Sequence, residues 1–420
     1  MSVLAVISEY NPYHKGHAYL LEQAREITGA ESAVSVMSGC FSQQGLPMTL
    51  DKYLRAEAAT RSGIDLVFEL PVLFATGSAP DFAEGAVTLL SRLSLPEYLV
   101  FGVENPDTSA FLEIADCITE EPEAFRSCLQ ERQKEGLSFP AAREEALAAV
   151  LGDSVRPLVR TPNNILALEY MAALKRVGSR MKPCLVKRTA DYHSGTSASA
   201  TGIRNRLAAM QDSSLTTGPS AEPEGNTRSD ARSYLKGELP EGSYTVYQPC
   251  ADQLILSPDG LMPYLAARML ELTDAPSPDS LPLGMTPEMY QRLRKQSLPV
   301  DYETLVEGMK RKNETRGRIT RSLLHLILGV TEGDRLSREE RCMLPLYLNL
   351  LSARRESTHL LRQAPEGMII TRNAAFHPEE RKLQRLWELD LKASRLYNQL
   401  MFSAHGIELP EELRRTPAMV

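Results

Sequence analysis

The stretch that most constrains the fold comes first: residues 3–17 read VLAVISEYNPYHKGH. A run rich in β-formers ends at Asn11-Pro12, where proline breaks a central strand. His14, Gly16 and His17 follow, and an amphipathic helical pattern begins at once. A strand that passes straight into a helix opens a βαβ unit, whose next strand must lie parallel to the first. The rhythm then repeats. Apolar runs at 33–37, 66–68, 98–101 and 184–187 read as further strands, with helical patterns at 17–28, 50–61, 79–93, 106–120, 125–135, 140–151 and 164–177. Residues 1–210 are therefore expected to form a Rossmann-like α/β domain on a parallel sheet.

Within 211–245 the segment LTTGPSAEPEGNTRSDARS offers almost nothing apolar, so it reads as a flexible junction. Beyond it, 246–420 reads as a mainly α-helical domain, with patterns at 261–272, 289–296, 302–311, 316–328, 337–351, 357–363 and 378–402 and one short strand candidate at 368–370. Two or three domains are the prior for 420 residues.

A formal charge of −7 gives no global signal for nucleic acid, DNA included, so basic segments must be weighed one at a time. The six cysteines contain no C-x-x-C pair and lack a partnering histidine cluster, which argues against a zinc site or a disulfide framework. No signal-peptide pattern opens the sequence, and no apolar run approaches the roughly 18 residues of a membrane span. A reduced, cytoplasmic protein with no membrane partner and no resident metal is expected.

In an open α/β sheet, ligands bind outside the carboxyl ends of the strands, and the first βα turn is a common address. The helix that starts near His17 offers unpaired N–H groups and a positive dipole end, which favour phosphate. His14 and His17 can add hydrogen bonds to an α-phosphate as charge builds on it, and Gly16 admits close backbone approach. An arbitrary H-x-x-H is more often a solvated cap or half of a metal site. Far downstream, SGTSASATGIRNRL sets Ser199, Thr201 and Arg204 in an S-x-T-x-x-R spacing, suited to β- and γ-phosphates or, more plainly, to an N-cap beside a surface arginine.

The H-x-G-H turn and its downstream partner resemble the nucleotidylyltransferase superfamily, with Ser8 where that superfamily has glycine. The blocks MSGCFSQQGLPMTLDKYLRAEAA, DLVFELPVLFATGSAPDFAEGAV, VFGVE, PNNILALEY, TRGRITRSLLHLILGV and ELDLKASRLYNQL together resemble the tRNA(Met) cytidine acetate ligases. That resemblance implies an ATP-dependent ligase that activates acetate as acetyl-adenylate and transfers acetyl to N4 of the wobble cytidine, position 34, of elongator tRNA(Met). It implies ATP as co-substrate, taken as a Mg2+ complex, with His14 and His17 catalytic. Ile7, Ser8, Glu9, Tyr10, Asn11, Pro12, Tyr13, His14, Lys15, Gly16, His17, Ala18, Tyr19 and Leu20 are expected around the nucleotide. Gly102, either Asn163 or Asn164, Arg188, Ser199, Thr201 and Arg204 complete the expected site. The alternatives are a small-molecule nucleotidylyltransferase and a noncatalytic RNA-binding protein on the same fold.

Two basic clusters remain. Lys52 and Arg55 read equally as polyphosphate or tRNA contacts and as a solvated helix face. Lys310, Arg311, Lys312, Arg316, Arg318 and Arg321 bring six positive charges against Glu314, which suits an RNA backbone, the plain reading being again a solvated face.

Overall fold

The computed structural model describes residues 2–188, 199–215, 227–297 and 301–420, with only the backbone described at 212–215 and 227–230. Five parallel strands form the centre of the sheet: β1 (Val3–Ser8), β2 (Ser32–Ser38), β3 (Leu66–Leu70), β4 (Tyr98–Val103) and β5 (Lys182–Lys187). They lie in the order β5-β4-β1-β2-β3, so the winding reverses at β1. All of β2 and β3 is buried, which is why these strands read as short apolar runs rather than alternating ones.

Helices α1 (Lys15–Thr28), α2 (Lys52–Arg61), α3 (Ala79–Leu93), α4 (Phe139–Leu151) and α5 (Pro162–Val177) link these strands, together with two further helices between β4 and α4. Their ends carry ordinary stop and start signals. Gly29 closes α1 at φ 67°, a left-handed conformation that glycine adopts freely. Pro162 opens α5 behind Thr161, whose hydroxyl caps the helix.

The second half departs from the sequence reading. Helix α6 (Ala200–Leu215) precedes residues 216–226, which lie outside the described set. Within 211–245, where a flexible junction is expected, α7 (Thr227–Glu238) and the start of α8 (Glu241–Tyr247) follow. Leu235, Val246 and Tyr247 from these helices and Leu239 from the link between them share a small core with Ala58 of α2 and with Ile203 and Leu207 of α6. A handful of well-placed apolar residues is enough to dock short helices that composition alone marks as loop.

The expected helix at 337–351 is also corrected. A short helix, Arg338–Met343, stops before Pro345, and β6 (Leu348–Ala353) then adds to the sheet antiparallel to β3. β7 (Ile369–Ile370) and β8 (Ala418–Met419) each pair parallel to β6, so the C-terminal half contributes three strands to the sheet. Two helices from this half matter below: α9 (Arg316–Leu328) and α10 (Arg381–His405). One apolar core joins Leu89 of α3, Leu168 of α5, Phe68 of β3, Leu350 of β6 and Leu396 of α10. Among the described residues, no helix is long and apolar enough to cross a membrane.

Candidate active site

The reversal of winding at β1 leaves a crevice between β1 and β4 at their carboxyl ends, where open sheets of this class hold ligands. Register puts Val6 beside Val100 and Gly102 beside Val186, so the ends of β1, β4 and β5 share one edge. The expected site residues from all three strands meet there.

At the end of β1 the chain turns through Tyr10, which has φ 47°, an uncommon conformation for a bulky residue. The turn is built from below. Asn11 Oδ1 accepts hydrogen bonds from the backbone N–H and hydroxyl of Thr49 at 2.9 and 2.8 Å. Arg55 donates to the carbonyls of Glu9 at 2.5 Å, Leu50 at 3.0 Å and Ser38 at 3.2 Å, and also to that of Gly39. From α8, Ser243 Oγ donates to the carbonyl of Tyr13 at 2.8 Å, and Tyr247 Oη lies 3.5 Å from that of Tyr10. Lys15 reaches the carbonyl of Gly237 in α7. The segment taken for a junction thus braces the first turn.

The two imidazoles form a reciprocal cap at the start of α1. His14 Nδ1 accepts the N–H of Gly16 at 3.0 Å, and His17 Nδ1 accepts the N–H of His14 at 3.2 Å. A backbone N–H can only donate, so each Nδ1 must be unprotonated, and the proton of each neutral ring sits on Nε2. Burial, then Arg188 and Arg204, pulls the pKa of His14 down to about 4. Burial, then His14 and Arg188, holds His17 well below the ordinary imidazole range. Both rings are therefore neutral near pH 7, each with one Nε2–H to donate. The ring centroids lie 4.1 Å apart, and His17 also meets Tyr10 edge-on at 5.2 Å.

The cap revises two expectations. The N–H groups of His14 and Gly16 are taken by imidazole nitrogens, so the rings stand in for the open helix end. Gly16 has a local reason besides ligand approach: a Cβ there would lie 2.7 Å from Cε1 of His14. Ser8, at the family's glycine position, places its hydroxyl 3.3 Å from the N–H of Tyr10 and 3.5 Å from His17 Nε2.

The second motif reaches this turn. Ser199 Oγ accepts the N–H of Gly202 at 3.2 Å and so caps α6. Arg204 donates to Thr201 Oγ1 at 3.1 Å and to the carbonyl of Asn11 at 2.8 Å. Burial lowers the pKa of Arg204, with Glu9 acting in the opposite direction. On the β4 side, Gly102 faces Arg188; a Cβ there would lie 3.1 Å from Arg188 Cγ. Arg188 donates to Asn163 Oδ1 at 3.4 Å, and Asn163 Nδ2 donates to Glu104 at 3.3 Å. Asn164 is buried instead and its Oδ1 accepts the N–H of Glu104 at 3.1 Å, which fixes the strand-end turn. Asn163 is therefore the asparagine that stands with Gly102 and Arg188.

Lys52 and Arg55 answer neither sequence reading. Both are buried: Arg55 supports the turn, and Lys52 donates to both oxygens of Glu69 at 2.7 and 2.6 Å and sits 2.9 Å from Glu412. The basic run is split. Lys310 and Arg316 pair with Glu307 and Glu303, while Arg311 and Lys312 are exposed. Arg318 and Arg321 turn inward toward a cavity. Sequence reasoning missed Ser243, Tyr247 and Glu104 as supports of the site and gave Arg55 a different role; Arg55 and Glu104 stood within quoted blocks, and nothing local marks Ser243 and Tyr247.

The chain matches the family model described as HIGH Nucleotidyl Transferase over residues 1–408. It is 34% identical over 406 residues to the tRNA(Met) cytidine acetate ligase of Caldanaerobacter subterraneus, covering 94% of this chain and 95% of that protein. To the enzyme of the same name from Halothermothrix orenii it is 30% identical, covering 99% and 97%. The crystal structure of Thermotoga maritima TmcAL bound with α-thio ATP superposes with a TM-score of 0.83 at 27% identity, covering all of both chains. The H-x-G-H turn, its downstream arginine and these whole-length likenesses agree: the chain belongs to the HIGH nucleotidyl transferases and, among them, to the tRNA(Met) cytidine acetate ligase family.

Proposed function

We propose that this protein is an ATP-dependent ligase that acetylates N4 of the wobble cytidine, position 34, of elongator tRNA(Met). The observation that carries the reading is the pair of neutral imidazoles held at the end of β1, with Arg204 crossing to the same turn. In the first step a carboxylate oxygen of acetate attacks the α-phosphorus of ATP, taken as its Mg2+ complex, to form acetyl-adenylate and release pyrophosphate. Acetate is an anion at neutral pH, so no general base is required; the need is for positioning and for donors to the developing charge. The Nε2–H groups of His14 and His17 supply those donors without adding a formal charge. Arg204, with Ser199 and Thr201 at the start of α6, suits the β- and γ-phosphates. Gly102, Asn163 and Arg188 suit the nucleoside end.

In the second step the cytidine N4 amine attacks the acetyl carbonyl, AMP leaves, and the nitrogen loses a proton. The mixed anhydride is reactive enough that orientation of the amine is the main requirement. Lys310, Arg311, Lys312, Arg316, Arg318 and Arg321 are the proposed tRNA contacts. Acetate-dependent exchange of pyrophosphate into ATP tests the first step. Exchange that needs acetate and is lost in a His17→Ala variant is expected. Absence of exchange under every metal condition would rule the reading out.

A further inference from the structure

A cavity of about 680 Å3 opens between α4 and α5 on one side and α9 on the other, within the size range of sites that engulf a small organic ligand. Phe139, Leu147 and Ile165 form an apolar wall, and Phe139 is 49% exposed. Opposite stand Arg318 and Arg321, one helical turn apart on α9.

The charges around this cavity are unevenly matched. Arg143 pairs with Glu169, Glu144 with Arg156 and Arg160, and Asp81 with Arg335 and Arg341. That uses every carboxylate of the lining. Arg318 donates to the carbonyl of Gly284 at 2.7 Å and Arg321 lies 3.5 Å from that of Gln43, but among the described residues neither has a carboxylate within ion-pair distance. Burial, with Arg318 beside it and Asp81 acting weakly in the opposite direction, lowers the pKa of Arg321 to about 10, so it remains charged at neutral pH. Two adjacent guanidiniums with no carboxylate in ion-pair contact are arranged for an anion from outside the chain.

Gln43 connects the cavity to the first turn. Its N–H donates to Glu9 Oε1 at 2.6 Å, and its carbonyl faces Arg321. An apolar wall with an accessible aromatic ring, facing a phosphate-competent arginine pair, is how single-stranded RNA is held: the base stacks and the backbone is neutralised. We propose that this cavity takes an unstacked nucleotide flanking the acetylated cytidine, its base against Phe139 and its phosphate between Arg318 and Arg321. The proposal rests on the tRNA-acetylating function given above.

The test uses full-length R318Q, R321Q, R321K and F139A. tRNA binding is measured across a salt series, and acetylation and tRNA-free pyrophosphate exchange are measured alongside. Each Arg→Gln variant is expected to reduce the slope of log Kd against log salt by about 1. The KM for tRNA should rise about tenfold or more, with exchange within about twofold of wild type. R321K should retain the salt slope and F139A should weaken binding without changing it, which a merely structural role would not produce. Wild-type slope and KM in both Arg→Gln variants would overturn the proposal. Because binding is read apart from acetylation, a wild type that binds but does not acetylate tRNA would count against the proposed function, while the slopes still decide the cavity.

Discussion

Replacing Lys52 with methionine distinguishes a ligand contact from an internal strut. Methionine keeps most of the stem and removes an ammonium that is buried with Glu69 and Glu412. Burial opposes the charge on Lys52, yet Glu412 and Glu69 outweigh it and hold its pKa well above the ordinary range. Removing one partner of a buried ion pair costs about 3–5 kcal/mol, because the other charge is left without compensation. Here two carboxylates are stranded together, so a loss near about 5 kcal/mol is expected at pH 8. A stranded carboxylate can escape by binding a proton. Its folded pKa then rises above the unfolded value of about 4.3, so its contribution is whole below that value and is lost as pH climbs through the folded pKa. The gap between K52M and wild type should therefore narrow from pH 8 to pH 5.5, by up to about 1.4 kcal/mol per pH unit for each proton taken up. Urea titrations followed by circular dichroism at the two pH values measure the gap, and adding E69Q should recover part of it. A K52M protein with wild-type stability and a raised KM for ATP would refute the reasoning.

Other outcomes follow from the site. His17→Ala should lower acetate-dependent exchange about 10²–10³-fold with the fold intact, the usual cost of one donor to a charged transition state. With His14 titrating at about 4 and burial holding His17 well below the ordinary imidazole range, exchange should be flat from pH 6 to 8; a limb near pH 6.5 in the rate profile would contradict neutral, Nε2-protonated rings. Gly102→Val should displace Arg188, whose Cγ would lie 3.1 Å from the first added carbon, and raise the KM for ATP about tenfold, roughly 1.4 kcal/mol, with little change in thermal stability. Gly242→Ala places a carbon 2.4 Å from the carbonyl oxygen of Arg61, forcing α8 off α2. A loss of about 1–3 kcal/mol by urea titration is expected, together with a raised KM for ATP, because Ser243 next to it holds Tyr13.

The parallel sheet was legible because buried strands separated by amphipathic helices leave a local, periodic trace. The same trace misled at 344–353, LPLYLNLLSA, where 348–353 is buried on both faces as β6 and the apolar run fits a helix as well as a strand. Arg55 and Lys52 read as ligand contacts or a solvated face because their partners are distant: Glu69 comes from β3, Glu412 from near the C-terminus, and the carbonyls of Glu9, Ser38 and Gly39 from two strand ends. Helices α7 and α8 went unread because their burial depends on a few residues, among them Leu235, Leu239 and Tyr247, meeting a face of α2. At the site, the histidines and the glycine were visible in seven residues of sequence. Their protonation pattern was not, since it follows from which backbone N–H each ring caps.

The central claim is most directly tested by mass spectrometry of elongator tRNA(Met) incubated with the protein, ATP and isotopically labelled acetate. One labelled acetyl group on the wobble cytidine, with AMP and pyrophosphate formed, is the expected result, and its loss in the His17→Ala variant should follow. An unlabelled tRNA at complete ATP turnover, or label carried on any other nucleotide, would contradict it.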